Sequence, residues 1–378
     1  MINYGKQCVS DEDIAKVIET LRSDFLTQGP KVPEFETAIS RYTGVNYASA
    51  VSSATAGLHL GCLALGVGKD DIVWTSTNSF VASANAALYC GARIDFIDID
   101  LNTNNICLEK LKLKLQLAKK LKKLPKLLIP VHLTGLSCEM KEIHKLSKEY
   151  NFKILEDASH CIGGDYLNNK IGSCEFSDAC VFSFHPVKII TTGEGGAITT
   201  NKKKIDSKIK ALRSHGIKRG VTKPSEDYMP YWYYEQFALG FNYRMTDIQA
   251  SLGLSQLKQV DKFIELRRKI ANFYDKNINS YKITKPDLAK FKDSSFHLYV
   301  IKINNRNDLY EYLKENQIAT NVHYFPIHMQ PYYQNLGFRK GDFPNAEEYG
   351  RTAISIPIYS SLSIENQKNI VNLLNNFQ

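Results

Sequence analysis

Apolar residues recur along this 378-residue chain with two periods, and over the first two-thirds the periods take turns. Residues 11–25 read as a helix: Ser10 can cap it, Asp11 and Glu12 suit its first turn, and Ile14, Val17, Ile18, Leu21 and Phe25 share a face. Leu26-Thr27-Gln28-Gly29-Pro30 breaks it, and a second helix follows with Val32, Phe35, Ile39 and Tyr42 on one side. Strands are then predicted at 47–51, 72–75, 94–97 and 127–132, with helices leading from Ser52–Gly57 to Leu65, from Ser79 to Tyr89 and over 139–150 and 202–215. Lys-Leu alternation at 110–117 suits a strand, but the following residues lose it, and 107–123 is read as mostly helix. Thr246 caps a helix bearing Ile248, Leu252, Leu254, Leu257 and Val260. From about residue 250 the alternation loosens, with strands at 296–303 and 320–325, a helix at 307–316 and a last helix after Ser363. The pattern is α/β, with a large domain over 1–249 and a small α+β domain over 250–378 closing on it.

Within that frame one stretch stands out, Val181 to Thr200: a strand, a tight turn carrying Lys188, a glycine-rich bend at Gly193, Gly195 and Gly196, and a second strand. Pro186 ends the first strand because it cannot donate to a ladder. A lysine prefers water, with a pKa of ~10.4. Holding one between apparently buried strands suits an amine that forms a Schiff base with a carbonyl. A lone loop lysine is more often a surface residue, but here Ser183-Phe184-His185-Pro186 and Gly193-Glu194-Gly195-Gly196 flank it. A second landmark is Phe152 to His160, a buried strand ending in Asp157 with His160 three residues on. A buried aspartate needs a positive partner, and a pyridinium nitrogen would serve. A metal pair lacks further ligands nearby. Ser52 to Gly57 opens a helix with small and hydroxyl residues, which suits an anion as well as an ordinary cap.

Composition narrows the classes. Hydrophobic residues at 43% and charged residues at 23% are ordinary for a globular chain. None of the eight cysteines forms a Cys-x-x-Cys pair, which argues against zinc, and reduced thiols in the cytoplasm are expected. No apolar run is long enough to span a bilayer. Eight lysines between 110 and 126 face one acid, Glu109, so most of the net +9 lies in one run. Leucines rather than aromatics separate them, which argues against nucleic acid. The run reads as a solvated amphipathic helix, with membrane-surface contact as the lesser alternative. Gly216 to Tyr234 is a long connection ending in Met229-Pro230-Tyr231-Trp232-Tyr233-Tyr234, a length that hints at function.

From Tyr4 to the last helix the chain resembles the DegT/DnrJ/EryC1/StrS family of pyridoxal-phosphate sugar aminotransferases. Leu26-Thr27-Gln28-Gly29 and His185 to Thr192 are especially similar to the branch that makes UDP-4-amino-4,6-dideoxy-N-acetyl-altrosamine for pseudaminic acid. The resemblance implies an aspartate-aminotransferase (fold type I) architecture with a mostly parallel seven-stranded sheet. It implies pyridoxal 5'-phosphate on Lys188, the ring nitrogen on Asp157, His160 near the ring oxygen or the substrate, the phosphate at Thr55 and Ala56, Ser183 among the cofactor-binding residues, and Phe80 stacked on the ring. Tyr4, Asp24, Phe25, Leu26, Thr27, His185, His323, Tyr324, Phe325 and Pro326 are implied for the substrate, and Asn242 for the neighbour's phosphate in a homodimer with shared sites. For Tyr4, Phe80, His323 and Tyr324 plain packing is the competing reading. The implied reaction takes the amino group of L-glutamate to C4 of a UDP-linked 4-keto sugar. Alternatives are another UDP-, GDP- or dTDP-linked keto sugar, or a non-catalytic regulator on the same fold.

Overall fold

The computed structural model describes residues 1–219 and 232–377. Two helices open the chain, α1 (Asp11–Leu21) and α2 (Lys31–Thr43). Then β1 (Tyr47–Val51), α3 (Ala54–Ala64), β2 (Ile72–Ser76), α4 (Ala82–Tyr89), β3 (Arg93–Ile97), α5 (Leu108–Lys120), β4 (Leu127–Ile129), α6 (Met140–Tyr150) and β5 (Lys153–Asp157) alternate. After a small hairpin, β6 (Asp165–Tyr166) and β7 (Asn169–Lys170), come β8 (Ala179–Ser183), β9 (Gly196–Thr200) and α7 (Lys203–Leu212). The sheet runs β1-β9-β8-β5-β4-β2-β3. It is parallel from β8 to β3 and antiparallel at β9 and β1, so the expected mostly parallel seven-stranded sheet is present.

Both faces of the sheet are buried, as parallel sheets require. Val73, Leu127, Leu155, Val181 and Ile198 point to a core under α3, α4 and α7. Their strand neighbours Trp74, Leu128 and Ile154 point to the opposite side, under α5 and α6, and Cys180, Phe182 and Ala197 pack on that side with α2. Strand alternation therefore builds two apolar layers from one sheet.

Beyond β9 a short ladder joins β10 (Ile217–Arg219) to β11 (Tyr234–Gln236). Of the aromatic run expected at 229–234, residues 229–231 lie outside the described residues, while Trp232 and Tyr234 are exposed. The predicted helix after Thr246 is two helices, α8 (Asp247–Leu257) and α9 (Val260–Asn277). Thr246 closes a capping box with Gln249. A division at residue 249 would cut α8, which packs on α1 and α2. The change of core runs along α9: Val260, Phe263 and Ile264 belong with the sheet. Ile270, Ala271 and Tyr274 belong with a second core built on β12 (Tyr299–Lys302), β13 (Ala353–Ile356) and the last helix, Ile364–Asn376.

Two expectations are corrected. The strand predicted at 320–325 does not form; Asn321 makes a single bridge to Ser355, and the chain then turns at Pro326. The face of α1 carrying Ile14, Ile18 and Leu21 looks outward, about half exposed. The buried side of α1 instead presents Asp13 and Thr20. Asp13 Oδ2 accepts from Ser10 N, Ser10 Oγ and Gln256 Nε2, so hydrogen bonds to α8 decide which side faces in.

Candidate active site

The carboxyl ends of the parallel strands open into a cleft of about 560 Å³, where an open α/β sheet places its ligands. Its lining includes Tyr4, Thr55, Phe80, Asp157, His160, Ser183, His185, Lys188, His323 and Tyr324 from the residues singled out in the sequence. Segments from residue 4 to residue 324 thus converge on one site.

Lys188 sits in the turn after β8. The turn is tied by hydrogen bonds from Lys188 N to His185 O, Thr192 N to Phe184 O and Phe184 N to Gly195 O, each 2.9 to 3.0 Å. Thr191 Oγ1 also donates to Phe184 O. The lysine is thereby held on a braced loop at the sheet's mouth. Burial pushes its amine down from 10.5 to about 8, against the pull of Asp157.

Asp157, the last residue of β5, is buried. Its Oδ1 accepts from Ser159 Oγ at 2.6 Å and Ser159 N at 3.1 Å, and its Oδ2 from Ser83 Oγ at 2.6 Å. Three donors hold the carboxylate in place. Ser83 is itself bonded to Ser79. The Asp-x-Ser spacing makes Ser159 legible as an Asx turn. Nothing in the sequence marks Ser83, which arrives from α4.

Three histidines surround the lysine. His160 accepts from Thr134 N at Nδ1, so its proton lies on Nε2, 3.1 Å from the Tyr324 hydroxyl. His297 was not singled out by the sequence. Its Nε2 is 3.5 Å from Lys188 Nζ and its ring centroid is 4.4 Å from that of His160. His323 pairs with Ser355 Oγ at 2.8 Å and its ring lies 5.2 Å from that of Tyr4. Burial first and Lys188 second push all three below the ordinary histidine range, His323 to about 3. The cluster is therefore neutral around one amine and one carboxylate.

An anion cradle faces them. Ser53 caps α3 by accepting from Ala56 N, and the first helical amides, Ala54 and Thr55, have no intrahelical acceptor. β9 passes close by only because residue 196 is glycine: a Cβ there would stand 2.7 Å from Ala54 N. A helix start with free amides suits a phosphate. A buried carboxylate, a depressed lysine and an anion cradle in one cleft fit the parts of pyridoxal phosphate.

Other expected residues lie elsewhere. Ala56 is buried behind the cradle. Asp24, Phe25, Leu26 and Thr27 are exposed and outside the lining. Leu26 O accepts from Asp247 N at the start of α8, and Gln249 of α8 reaches the carbonyl of Glu194, a lining residue. This places the stretch near the rim. Phe325 is half exposed and Pro326 is buried against Gly350. Asn242 is exposed on a bridge to Ser214, outside this chain's own cleft.

A model of the DegT/DnrJ/EryC1/StrS aminotransferase family matches residues 7–375. The chain is 39% identical over 374 residues to the UDP-4-amino-4,6-dideoxy-N-acetyl-beta-L-altrosamine transaminase of Campylobacter jejuni serotype O:23/36, covering 97% of this chain and 95% of that protein. Among solved structures it is similar to Helicobacter pylori PseC, an aminotransferase involved in the biosynthesis of pseudoaminic acid. That likeness has a TM-score of 0.88 at 32% identity over 99% of this chain and 98% of the other. It is also similar to the PLP form of Spr1654 from Streptococcus pneumoniae, with a TM-score of 0.87 at 28% identity, covering 99% and 97%.

Proposed function

We propose a specific reaction for this chain, which belongs to the DegT/DnrJ/EryC1/StrS aminotransferase family and is a pyridoxal-phosphate-dependent nucleotide-sugar aminotransferase. The reaction is transfer of the amino group of L-glutamate to C4 of UDP-2-acetamido-2,6-dideoxy-β-L-arabino-hexos-4-ulose, in the cytoplasm, on the way to pseudaminic acid. The observation that carries the chemistry is Lys188 and Asp157 together in the cleft. The relatives named for this sugar, at 34–39% identity, support the substrate.

When bound, pyridoxal phosphate supplies an electron sink for charge at the donor's α-carbon. The residues here divide the remaining work. Asp157, held by Ser83 and Ser159, would keep the ring nitrogen protonated. The α3 start, Thr55 and Ser183 would hold the phosphate, and Phe80 would cover one ring face. Lys188 would engage the cofactor's aldehyde through its amine. Once released, it would carry the proton from the α-carbon of glutamate and return one to C4 of the sugar. An amine near pKa 8 is suited to both directions. His160, hydrogen-bonded to Tyr324, would position the substrate side of the site.

Tyr4, His185, His323 and Tyr324 would meet the sugar nucleotide within the cleft, with residues 24–27, Phe325 and Pro326 at its edge. A second copy would cover the exposed apolar face of α1 and lend its Asn242 to this cleft, giving a homodimer with shared sites. The test is a side-by-side assay of the L-arabino 4-keto sugar, its D-xylo epimer and dTDP-4-keto-6-deoxyglucose with glutamate. Unpaired polar groups in the pocket cost ~1–3 kcal/mol each, so two mismatches predict roughly two to four orders of magnitude in kcat/KM. Faster turnover of either control overturns the sugar assignment. Borohydride reduction followed by peptide mapping tests the lysine separately: label on a residue other than Lys188 overturns the site.

A further inference from the structure

The lysine run at 110–126 has no place in the reaction, since none of its residues lines the cleft. In the structure α5 lies over the sheet beside α6, at the β3 edge. Leu111, Leu115 and Ala118 face inward into the core, with Leu108 packed at its edge. Leu113, Leu117 and Leu121 form a separate line, spaced four apart, and are 63%, 57% and 56% exposed. Leucines at that spacing stack along one side of a helix. This line is an apolar stripe in addition to the packed one.

Lysines flank the stripe, and most of them are unpaired. Lys114 is bonded to Asp95 and Lys126 to Asp71. Among the described residues, Lys110, Lys112, Lys119, Lys120, Lys122 and Lys123 form no ion pair. On the helical wheel Lys110 and Lys120 border the leucine line, which runs back one turn to the exposed acid Glu109, and Lys112 and Lys119 follow beyond Gln116, Lys119 lying over the Tyr150 ring. The surface thus combines three outward leucines with unpaired Lys110, Lys112, Lys120, Lys122 and Lys123, against the single acid Glu109.

We propose that this face of α5 docks peripherally on an anionic lipid bilayer, with Leu113, Leu117 and Leu121 entering the headgroup boundary and the lysines meeting acidic headgroups. An interfacial helix needs this combination of apolar side and basic fringe. A second copy of the chain would bring the same positive charge against itself. A nucleic acid would neutralise the lysines but leave the leucines in water, and the stripe carries no aromatic for base stacking. Docking is at the surface only: no helix among the described residues is long and apolar enough to cross a membrane. The consequence is an enzyme held near lipid-borne chemistry without insertion.

The experiment is flotation of the holoenzyme with vesicles of phosphatidylcholine alone and of phosphatidylcholine with 30% phosphatidylglycerol. Two variants accompany it: Leu113→Ser/Leu117→Ser/Leu121→Ser and Lys110→Glu/Lys112→Glu/Lys120→Glu. All six positions are exposed apart from the cleft, so aminotransferase turnover in solution should match the parent and reports folding. The parent should float with the anionic vesicles only, and 0.5 M salt should release it. Removing three lysine contacts should weaken binding on the order of a hundredfold, at roughly fivefold for each lysine. The leucine variant should weaken it about tenfold or more while keeping all the charge. Absence of flotation by the parent overturns the proposal. So does a leucine variant that binds as well as the parent, and so does displacement of the parent from vesicles by equimolar duplex DNA, which would assign the face to polyanions.

Discussion

The Lys188 amine should leave a pH signature on the stability of the cofactor-free protein. Its pKa falls from 10.5 in the open chain to about 8 in the cleft. A depressed lysine works against folding wherever it is charged in the native state. Below about pH 8 both states are protonated, and the folded state carries the full cost of the buried charge. Between about pH 8 and 10.5 the unfolded chain binds the extra proton, so stability rises with pH. Above 10.5 the penalty is gone. The shift corresponds to about 3 kcal/mol. The perturbation is Lys188→Met, which keeps the length and removes the titration. The assay is denaturant unfolding of both apoproteins at half-unit steps from pH 7 to 10.5. The parent should gain about 3 kcal/mol relative to Lys188→Met over that window. Parallel curves would refute the depressed amine. So would the opposite slope, which would mean that Asp157 outweighs burial. The same shift leaves about a quarter of the amine neutral at pH 7.5, where an exposed lysine would have about one part in a thousand.

Three further outcomes are expected. Gly196→Ala should weaken pyridoxal-phosphate retention on the order of ten- to a hundredfold, because its Cβ would stand 2.7 Å from Ala54 N and 2.8 Å from Phe182 O; equilibrium dialysis reads it, and unchanged affinity would mean the cradle tolerates displacement. Ser83→Ala removes a 2.6 Å hydrogen bond from a buried carboxylate and should cost roughly 1.5–3 kcal/mol of apoprotein stability, measured by urea unfolding, with no change marking Ser83 as a bystander. Lys188→Ala and Asn242→Ala should each be poorly active alone, yet mixed heterodimers should regain part of the activity, since one of their two clefts keeps both residues. Failure to recover with heterodimers formed would place Asn242 outside the neighbour's site.

Much of the site could be read from the chain because its parts are local. Asp157 ends a strand whose alternation is plain, and Lys188 sits between a proline and three glycines that leave few other conformations. The seven strands followed from runs of Val, Ile and Phe bounded by turns. What was not legible depends on distant partners. Ser83 and His297 are unremarkable within their own segments and acquire meaning only when α4 and residues 296–298 reach the cleft. The outward face of α1 shows the same limit from the other side. Its periodicity reports that Ile14, Ile18 and Leu21 share a side, but Asp13, bonded to Gln256 from α8, determines that another side faces in. At 320–325 the residues favour a strand, yet only Asn321 finds a partner, so propensity alone does not form one.

The first residues of the chain are fastened to some of its last. Ile2 N donates to Gln317 O, Ala319 N donates to Ile2 O, and Ile358 N donates to Tyr4 O. On a ribosome, Tyr4 waits while more than 300 further residues are made before its partners exist. At about 5 to 20 residues per second that is roughly 15 to 60 seconds. The sheet can assemble in the meantime, but the leading segment has nowhere to dock until residues 317–358 have been threaded out and folded. The part of the cleft lined by Tyr4 is therefore completed only after those residues. A nascent chain has its lysine and its carboxylate in place before it has a finished entrance.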